Sequence, residues 1–279
     1  MRNCNTLKVA FLATIVLLFG CGLAQKSDFV ETYENVVNKP KQAVWKVIAD
    51  GLRYREISVD VIDKAQKKQE KDFLMAQIDP RAFILKIYQN QGEPKSIKEI
   101  HQETGSLLSF NGSFFDENFR ALGLLVSDGK RLHAPSRAKL LNGIFTVGYE
   151  GKAKLHLSPP NLNEKNYSFA IQNGPVLIDE NGKILIKQEN DHVAGRTILA
   201  LDKEKNIILL VIKQSLLSSE NVISLYQLAH LLKENNQFKE FELRAVLNLD
   251  GGASTGVAIS GNYLPEMNRV QNIVTVFAR

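Results

Sequence analysis

The 279-residue chain is almost without cysteine: Cys4 and Cys21 are its only two, and both precede residue 25. The remainder therefore has no disulfide, no thiolate metal site and no cysteine nucleophile, and an oxidising compartment holds no hazard for it. Proline is sparse, at 8 residues. Neither an internal repeat nor a low-complexity tract occurs, which excludes repeat architectures. There is no P-loop, no Rossmann fingerprint and no serine nucleophile elbow. The histidines His101, His133, His156, His192 and His230 show no metal-ligand spacing. His230 falls in an amphipathic stretch and reads as structural, whereas His192, four residues before Arg196, suits either a site wall or a surface loop. An excess of one charge is also missing. The whole chain carries +5, and loss of Arg2 and Lys8 with a leader brings this to +3. Lysine and glutamate are well mixed, so no basic stripe for nucleic acid is present.

What is present begins with an apolar fraction of 44%, enough for a substantial core without covalent staples. Arg2 and Lys8 precede an uncharged, largely apolar run from Val9 to Phe19, followed by small residues. That is the layout of an export signal, and the run is too short to span a bilayer comfortably. Two cleavage readings stand open. Leu18-Phe19-Gly20-Cys21 resembles a bacterial lipobox, which would make Cys21 a lipidated first residue. Gly22-Leu23-Ala24 offers a small-x-small site before Gln25. Either reading expects export to the periplasm or cell envelope, with membrane association only through an anchor at Cys21. Residues 1–24 then form the signal, the polar stretch 25–43 a spacer, and 44–279 the folded domain.

Within that domain short strands dominate. Glu56 to Ile62 alternates with Ile57, Val59 and Val61 on one side, and Ala82 to Tyr88 does the same with Phe83, Leu85 and Ile87. Leu122 to Val126 predicts a strand entering the turn Asp128-Gly129. Leu177-Ile178 and Ile184 to Ile186 flank a hairpin turn. The dense apolar runs Ile207 to Ile212 and Ala245 to Leu249 suit the middle of a sheet. Ser224-Leu225-Tyr226-Gln227 predicts a capping box opening a helix, with Leu225, Leu228, Ala229 and Leu232 on one face and Asn235-Asn236 at its end. A second helix is expected over Ile97 to Glu103. The reading is a single α+β domain of mostly antiparallel, curved mixed sheet with packed helices.

Three segments interrupt this pattern with polar residues beside glycine or aromatic positions. In Phe110-Asn111-Gly112-Ser113-Phe114-Phe115-Asp116, the Asn-Gly turn is anchored by two phenylalanines, which would hold the Asn111 amide and Asp116 in fixed directions. In Gln172-Asn173-Gly174-Pro175 through Gly195-Arg196-Thr197, an arginine between small residues can offer a phosphate two parallel N–H donors. In Asn248-Leu249-Asp250-Gly251-Gly252-Ala253-Ser254-Thr255, a carboxylate follows an apolar strand directly. The glycines after it leave room for a ligand, and successive N–H groups are expected to form an anion-binding nest beside Ser254 and Thr255. Taken singly, each segment is also ordinary turn chemistry or a solvated surface.

Their identity and order say more. Asn-Gly-x-Phe-Phe is followed by Gly-Leu-x-Val-x-x-Gly from Gly123 to Gly129 and by Gln-x-Gly-Pro-x-Leu from Gln172 to Leu177. Arg196-Thr197, the capped helix and Asn-Leu-Asp-Gly-Gly-x-Ser-Thr complete the series. It resembles the phosphodiester glycosidase domain family over roughly residues 44–279. The resemblance implies hydrolysis of a glycosyl phosphodiester or phosphorylated glycan in a fold of mixed strands and helices. It implies Asn111, Arg196, Asp250, Gly251, Gly252 and Ser254 as site residues. Asp250, Arg196 and Asn111 are expected to be catalytic, and Gly251, Gly252, Ser254, Thr255, Asp116, Gln172 and Asn173 to bind substrate. No cofactor or metal is implied; a divalent cation bridging Asp250 and phosphate is conceivable without support from any motif. Ser113 and Ala253 depart from the family pattern, which usually has glycine at both places. Two alternatives remain beside glycosidic cleavage: a phosphodiesterase cutting P–O, and a non-catalytic envelope protein that binds glycan.

Overall fold

The computed structural model describes residues 44–62, 68–157, 162–188, 192–212 and 222–279. The leader with Cys4 and Cys21, and the spacer to residue 43, lie outside these, as do the expectations made of them. The described chain opens with β1 (Lys46–Ala49) and a long hairpin of β2 (Leu52–Ile62) and β3 (Lys68–Ile78). Then come β4 (Phe83–Gln89), helix α1 (Ile97–Thr104) and β5 (Leu108–Asn111). The middle holds β6 (Leu125–Ser127), β7 (Lys130–His133), β8 (Gly143–Gly148), β9 (Ala153–Leu157), β10 (Tyr167–Asn173) and β11 (Val176–Ile178). The last part holds β12 (Thr197–Leu201), β13 (Ile207–Ile212), α2 (Leu225–Glu234), the single turn α3 (Asn236–Lys239) and β14 (Arg244–Asn248). It ends with β15 (Val257–Ile259), β16 (Asn262–Leu264) and β17 (Asn272–Ala278).

These strands form three sheets, ordered β1-β2-β3-β13-β12-β14-β11, β7-β6-β10-β8-β9 and β16-β15-β5-β17-β4. One core joins all three. Leu74, Leu199, Leu209 and Leu247 come to it from the first sheet, Phe145, Phe169 and Ile171 from the second, and Phe110, Val257 and Val274 from the third. The apolar run Ile207 to Ile212 becomes β13, the middle strand of the seven, and all six of its residues are buried. Such a strand needs apolar residues on both faces because it is covered twice. Its second face packs with Ile198, Ala200 and Val246 against Leu228, Ala229 and Leu232 of α2.

The helix begins as the sequence predicts. Ser224 Oγ accepts from Gln227 N at 3.1 Å, and Ser224 N donates to Gln227 Oε1 at 3.2 Å, so the box satisfies two otherwise unpaired N–H groups. A second box, unexpected from the sequence, opens α1: Glu99 N donates to Ser96 Oγ at 3.2 Å and Ser96 N to Glu99 Oε2 at 2.6 Å. Ile97 and Ile100 then bury against Ala258 and Ile273 on the outer face of the third sheet.

Three expectations need correction. Every strand pairing within these sheets is antiparallel, so the sheet is not mixed. The label α+β gives the helices too much weight, because the fold is mainly antiparallel β with an 8-residue and a 10-residue helix laid on sheet faces. The strand expected over Leu122 to Val126 starts only at Leu125. The cause is local: Leu124 N donates to the Gln172 side chain at 3.0 Å instead of to a neighbouring strand.

Candidate active site

β14 runs between β12 and β11 and delivers Asp250 just beyond its end. The turn that follows is tied to two sheets. Leu249 N donates to Thr197 O at 2.9 Å, and Gly252 N to Gly195 O at 2.8 Å, both toward the entry of β12. Asp250 N donates to Gly112 O at 3.2 Å, just past the end of β5 in the third sheet. The two glycines do different work. A Cβ on Gly251 would sit 2.7 Å from Gly195 O and 3.9 Å from Arg196 Cα, so only glycine permits this approach. Gly252 has φ +60, a left-handed conformation, and a Cβ there would meet nothing within 4 Å. The Gly252 side of the turn is thus the open one.

Asn111 holds the turn from behind. It is fully buried. Its Nδ2 donates to Asp250 O at 2.7 Å, while its Oδ1 accepts from Thr197 Oγ1 at 2.7 Å and from Gly256 N at 3.2 Å. One amide therefore links the chain after β5, the start of β12 and both sides of the Asp250 turn. Next to it Gly112 has no room for a side chain, since a Cβ would lie 1.9 Å from Asn272 Oδ1. Asn272 Oδ1 also accepts from Ser113 N at 2.8 Å, and its Nδ2 donates to Ser113 Oγ at 2.9 Å. The hydroxyl that departs from the family pattern at Ser113 is thereby matched by an amide.

Asp250 is the most perturbed carboxyl of the region. Burial raises its pKa from 3.8 to about 6, against the Ser254 hydroxyl and the Gly251 N–H, which hydrogen-bond the charged form and pull it down. The Gly251 N–H reaches Asp250 Oδ1 at 2.9 Å. A carboxyl with this pKa changes charge near neutrality, where a proton acceptor or donor is most effective.

Of the N–H groups expected to form an anion nest, those of Gly251, Gly252, Ser254 and Thr255 already have partners within the protein. Besides Gly251 and Gly252, Ser254 N donates to Gly251 O and Thr255 N to Gly252 O, each at 3.2 Å, as the short 3-10 turn Gly252–Ser254 requires. Arg196 is partly buried; its Nε donates to Ile223 O at 3.1 Å and its Nη2 to His192 O. His192 itself is exposed. Asp116 turns its carboxylate back on its own loop, where Oδ1 accepts from Asn118 N and Arg120 N, both at 2.9 Å. That is a turn-closing role, which explains its place after two phenylalanines.

Gln172 is fully buried and acts as a clamp. Its Oε1 accepts from Leu124 N at 3.0 Å and Ser136 N at 2.8 Å, and its Nε2 donates to Ser136 O at 2.7 Å and Leu141 O at 2.9 Å. Asn173 differs sharply: it is buried, yet neither amide atom has a hydrogen-bond partner. Asn248 Oδ1 and Thr255 Oγ1 share that condition, while Asn248 Nδ2 donates to Gly174 O at 3.0 Å. Of the five such buried atoms among the described residues, four thus belong to the Gln-Asn-Gly-Pro and Asn-Leu-Asp-Gly-Gly segments. Sequence reasoning missed Asn272 and gave Thr197 no task; the only signal for the former is a polar Gln271-Asn272 pair opening an apolar strand.

Three antiparallel sheets around one core, with a raised carboxyl on a glycine turn at their junction, define a mainly-β domain whose polar site lies at strand ends. The chain belongs to the phosphodiester glycosidase family, whose profile matches residues 104–277. The catalytic domain of zebrafish N-acetylglucosamine-1-phosphodiester alpha-N-acetylglucosaminidase, auto-inhibited by its pro-peptide, has a similar fold. Its TM-score is 0.67 at 18% identity, over 86% of this chain and 88% of that one. A hypothetical protein from Synechocystis gives 0.63 at 16% identity, over 83% and 63%. A Burkholderia pseudomallei protein described as exported gives 0.56 at 11%, over 77% and 76%. No curated protein matches the sequence.

Proposed function

We propose that this chain is an exported hydrolase that cleaves glycosyl phosphodiesters at the anomeric C–O bond. The observation that carries the reading is Asp250: a carboxyl raised to about 6, fixed at a strand end by backbone ties, beside the open side of Gly252. Water attacks the anomeric carbon and passes a proton to the Asp250 carboxylate. The C–O bond breaks, and its electron pair leaves on the phosphate oxygen to give a phosphate monoester. Phosphate is a good leaving group, so strong general-acid help is unnecessary, and one well-placed base can suffice.

Arg196 supplies positive charge beside the turn, its Cα 3.9 Å from where a Gly251 Cβ would be. Asn111 is a positioning residue, because its amide is engaged within the protein and holds the carbonyl of Asp250 itself. Gly251, Gly252 and Ser254 shape and polarise the turn, and Thr255 and Asn173 each keep buried, unpaired polar atoms. Residues 1–24 are read as the export signal, 25–43 as spacer and 44–279 as the catalytic domain.

Hydrolysis in oxygen-18 water tests the bond. Label in the sugar supports C–O cleavage; label in the phosphate assigns the P–O cut instead. Asp250→Ala should lower turnover by orders of magnitude while circular dichroism stays unchanged, and a fully active variant would remove the assignment.

A further inference from the structure

Two adjoining hollows, of about 430 and 320 Å³, open at one end of the seven-stranded sheet and share Arg53, Gln77 and Asn206 in their walls. Both fall in the range of roughly 300–1,000 Å³ in which proteins hold small ligands. Strand β12 separates them from the Asp250 turn. Its first residue, Thr197, takes the Leu249 N–H, whereas its last, Leu201, pairs with Ile207 and leads into the 202–206 turn that lines the larger hollow. Five residues of strand amount to roughly 16 Å.

The larger hollow is lined by Trp45, the only tryptophan of the chain. The Arg53 guanidinium lies 4.4 Å from its ring centre, and the Phe241 ring meets it edge-on at 6.1 Å. A relay of planar groups runs on from Arg53. Its Nε donates to Gln77 Oε1 at 2.7 Å, Gln77 Nε2 donates to Asp202 Oδ2 at 2.6 Å, and Asn206 Nδ2 donates to the same oxygen at 2.9 Å. Asp202 is 1% exposed and anchors the relay in the core. The wall is thus fixed before a ligand arrives, which lowers the entropy cost of binding. Several groups on it have no hydrogen-bond or ion-pair partner among the described residues. The donors are the Arg53 amino groups, Lys203 Nζ and the Trp45 indole N–H; the acceptors are Glu204 and Asn206 Oδ1.

Charge decides what fits. Of the charged residues lining the two hollows, Glu240 is paired with Arg55 at 2.8 Å and Asp79 with Arg81 at 2.9 Å. The others, Arg53, Lys203, Asp50 and Glu204, have no ion-pair partner among the described residues, and their charges cancel. A polyanion would meet two carboxylates and a polycation two cations, so neither gains a net field. A sugar is matched instead, because each hydroxyl donates and accepts at once and the ring C–H groups are compatible with an aromatic edge. Two adjoining hollows suit linked rings better than a single one. We propose that this groove binds a neutral oligosaccharide, as a second glycan contact that takes no part in the chemistry at Asp250 and stands independently of the catalytic reading.

Because no other tryptophan emits, Trp45 fluorescence reads the groove directly. The full chain is titrated with cellotetraose, maltotetraose and tetra-N-acetylchitotetraose, and at least one should give a saturable change at about 1 mM or tighter. Arg53, Lys203 and Glu204 are exposed, so their variants should keep the circular dichroism of the wild type. Arg53→Met with Lys203→Met should weaken the binding about tenfold or more, and Glu204→Ala should weaken it too. Asp250→Asn should leave it unchanged. No saturable change with any of the three sugars, or a response undiminished in either groove variant, overturns the proposal. A response lost in Asp250→Asn places the sugar at the catalytic turn and overturns it as well. Tighter binding of inorganic phosphate assigns an anion site instead, and tighter binding of a peptide of residues 25–43 assigns a seat for the chain's own spacer; either result overturns the proposal.

Discussion

Replacing Asp250 by asparagine is expected to make the protein more stable while abolishing its activity. Burial holds the Asp250 carboxyl at about 6 in the folded chain, against 3.8 for an ordinary aspartate. At about 1.4 kcal/mol per pH unit, that difference means the ionised side chain disfavours the fold by about 3 kcal/mol. The direction follows from proton binding: with the folded pKa raised, the folded state holds its proton more tightly. This group's contribution is complete below 3.8 and is lost as the pH rises through about 6. Asparagine has nearly the same shape and never ionises, though it gives Gly251 N–H and the Ser254 hydroxyl a weaker acceptor. The net gain at pH 8 should be about 2 kcal/mol. Urea unfolding of wild type and variant, from pH 4 to pH 8, reads it as a gap in midpoint that opens with rising pH. Titration of other groups is common to both proteins and cancels in the difference. A gap that is absent, reversed or independent of pH would refute the argument that burial strains this carboxylate.

The same carboxyl should set the pH–rate profile, with kcat/KM rising through about 6 as the base ionises; a flat profile from pH 5 to 8 would exclude Asp250 as that base. Asn111→Ala strands Thr197 Oγ1, Gly256 N and Asp250 O without their partner. It should cost about 3–5 kcal/mol in denaturant titration and lower kcat more than it raises KM. Gly112→Ala drives a methyl into Asn272 Oδ1, 1.9 Å away. A loss of about 1–3 kcal/mol with a matching fall in activity is expected, because Gly112 O holds the Asp250 N–H. Arg196→Lys loses the planar fork and should weaken turnover of a glycosyl phosphodiester more than that of a neutral aryl glycoside, whereas equal losses would make Arg196 purely structural.

Elements whose signal is local were legible in the sequence. Period-two alternation located the inward faces of β2 and β4, and an unbroken apolar run located the central strand β13. The α2 capping box was legible because serine and glutamine three residues apart carry the whole interaction. The division into three sheets was not, since pairing such as β5 with β15 and β17 joins segments far apart in the chain. The site behaved likewise. Its residue types and their order were readable, but the direction in which a polar group faces was not. Asn111 reads as an amide offered to a ligand, yet its Oδ1 already accepts from Thr197 Oγ1 and Gly256 N and its Nδ2 donates to Asp250 O. The glycine-rich turn reads as an anion nest, yet the N–H groups of Gly251, Gly252, Ser254 and Thr255 are bonded within the protein. Asn272 carried almost no signal, because its task depends on a serine 159 positions earlier.

The Asp250 turn is riveted to Gly195 and Thr197 on one sheet and to Gly112 on another. It therefore straddles a seam, and a small slip between the two layers would misalign the carboxyl before either layer melts. Warming should silence such a centre some degrees ahead of cooperative unfolding, with recovery on cooling. The joint that builds the reaction centre is also its fuse.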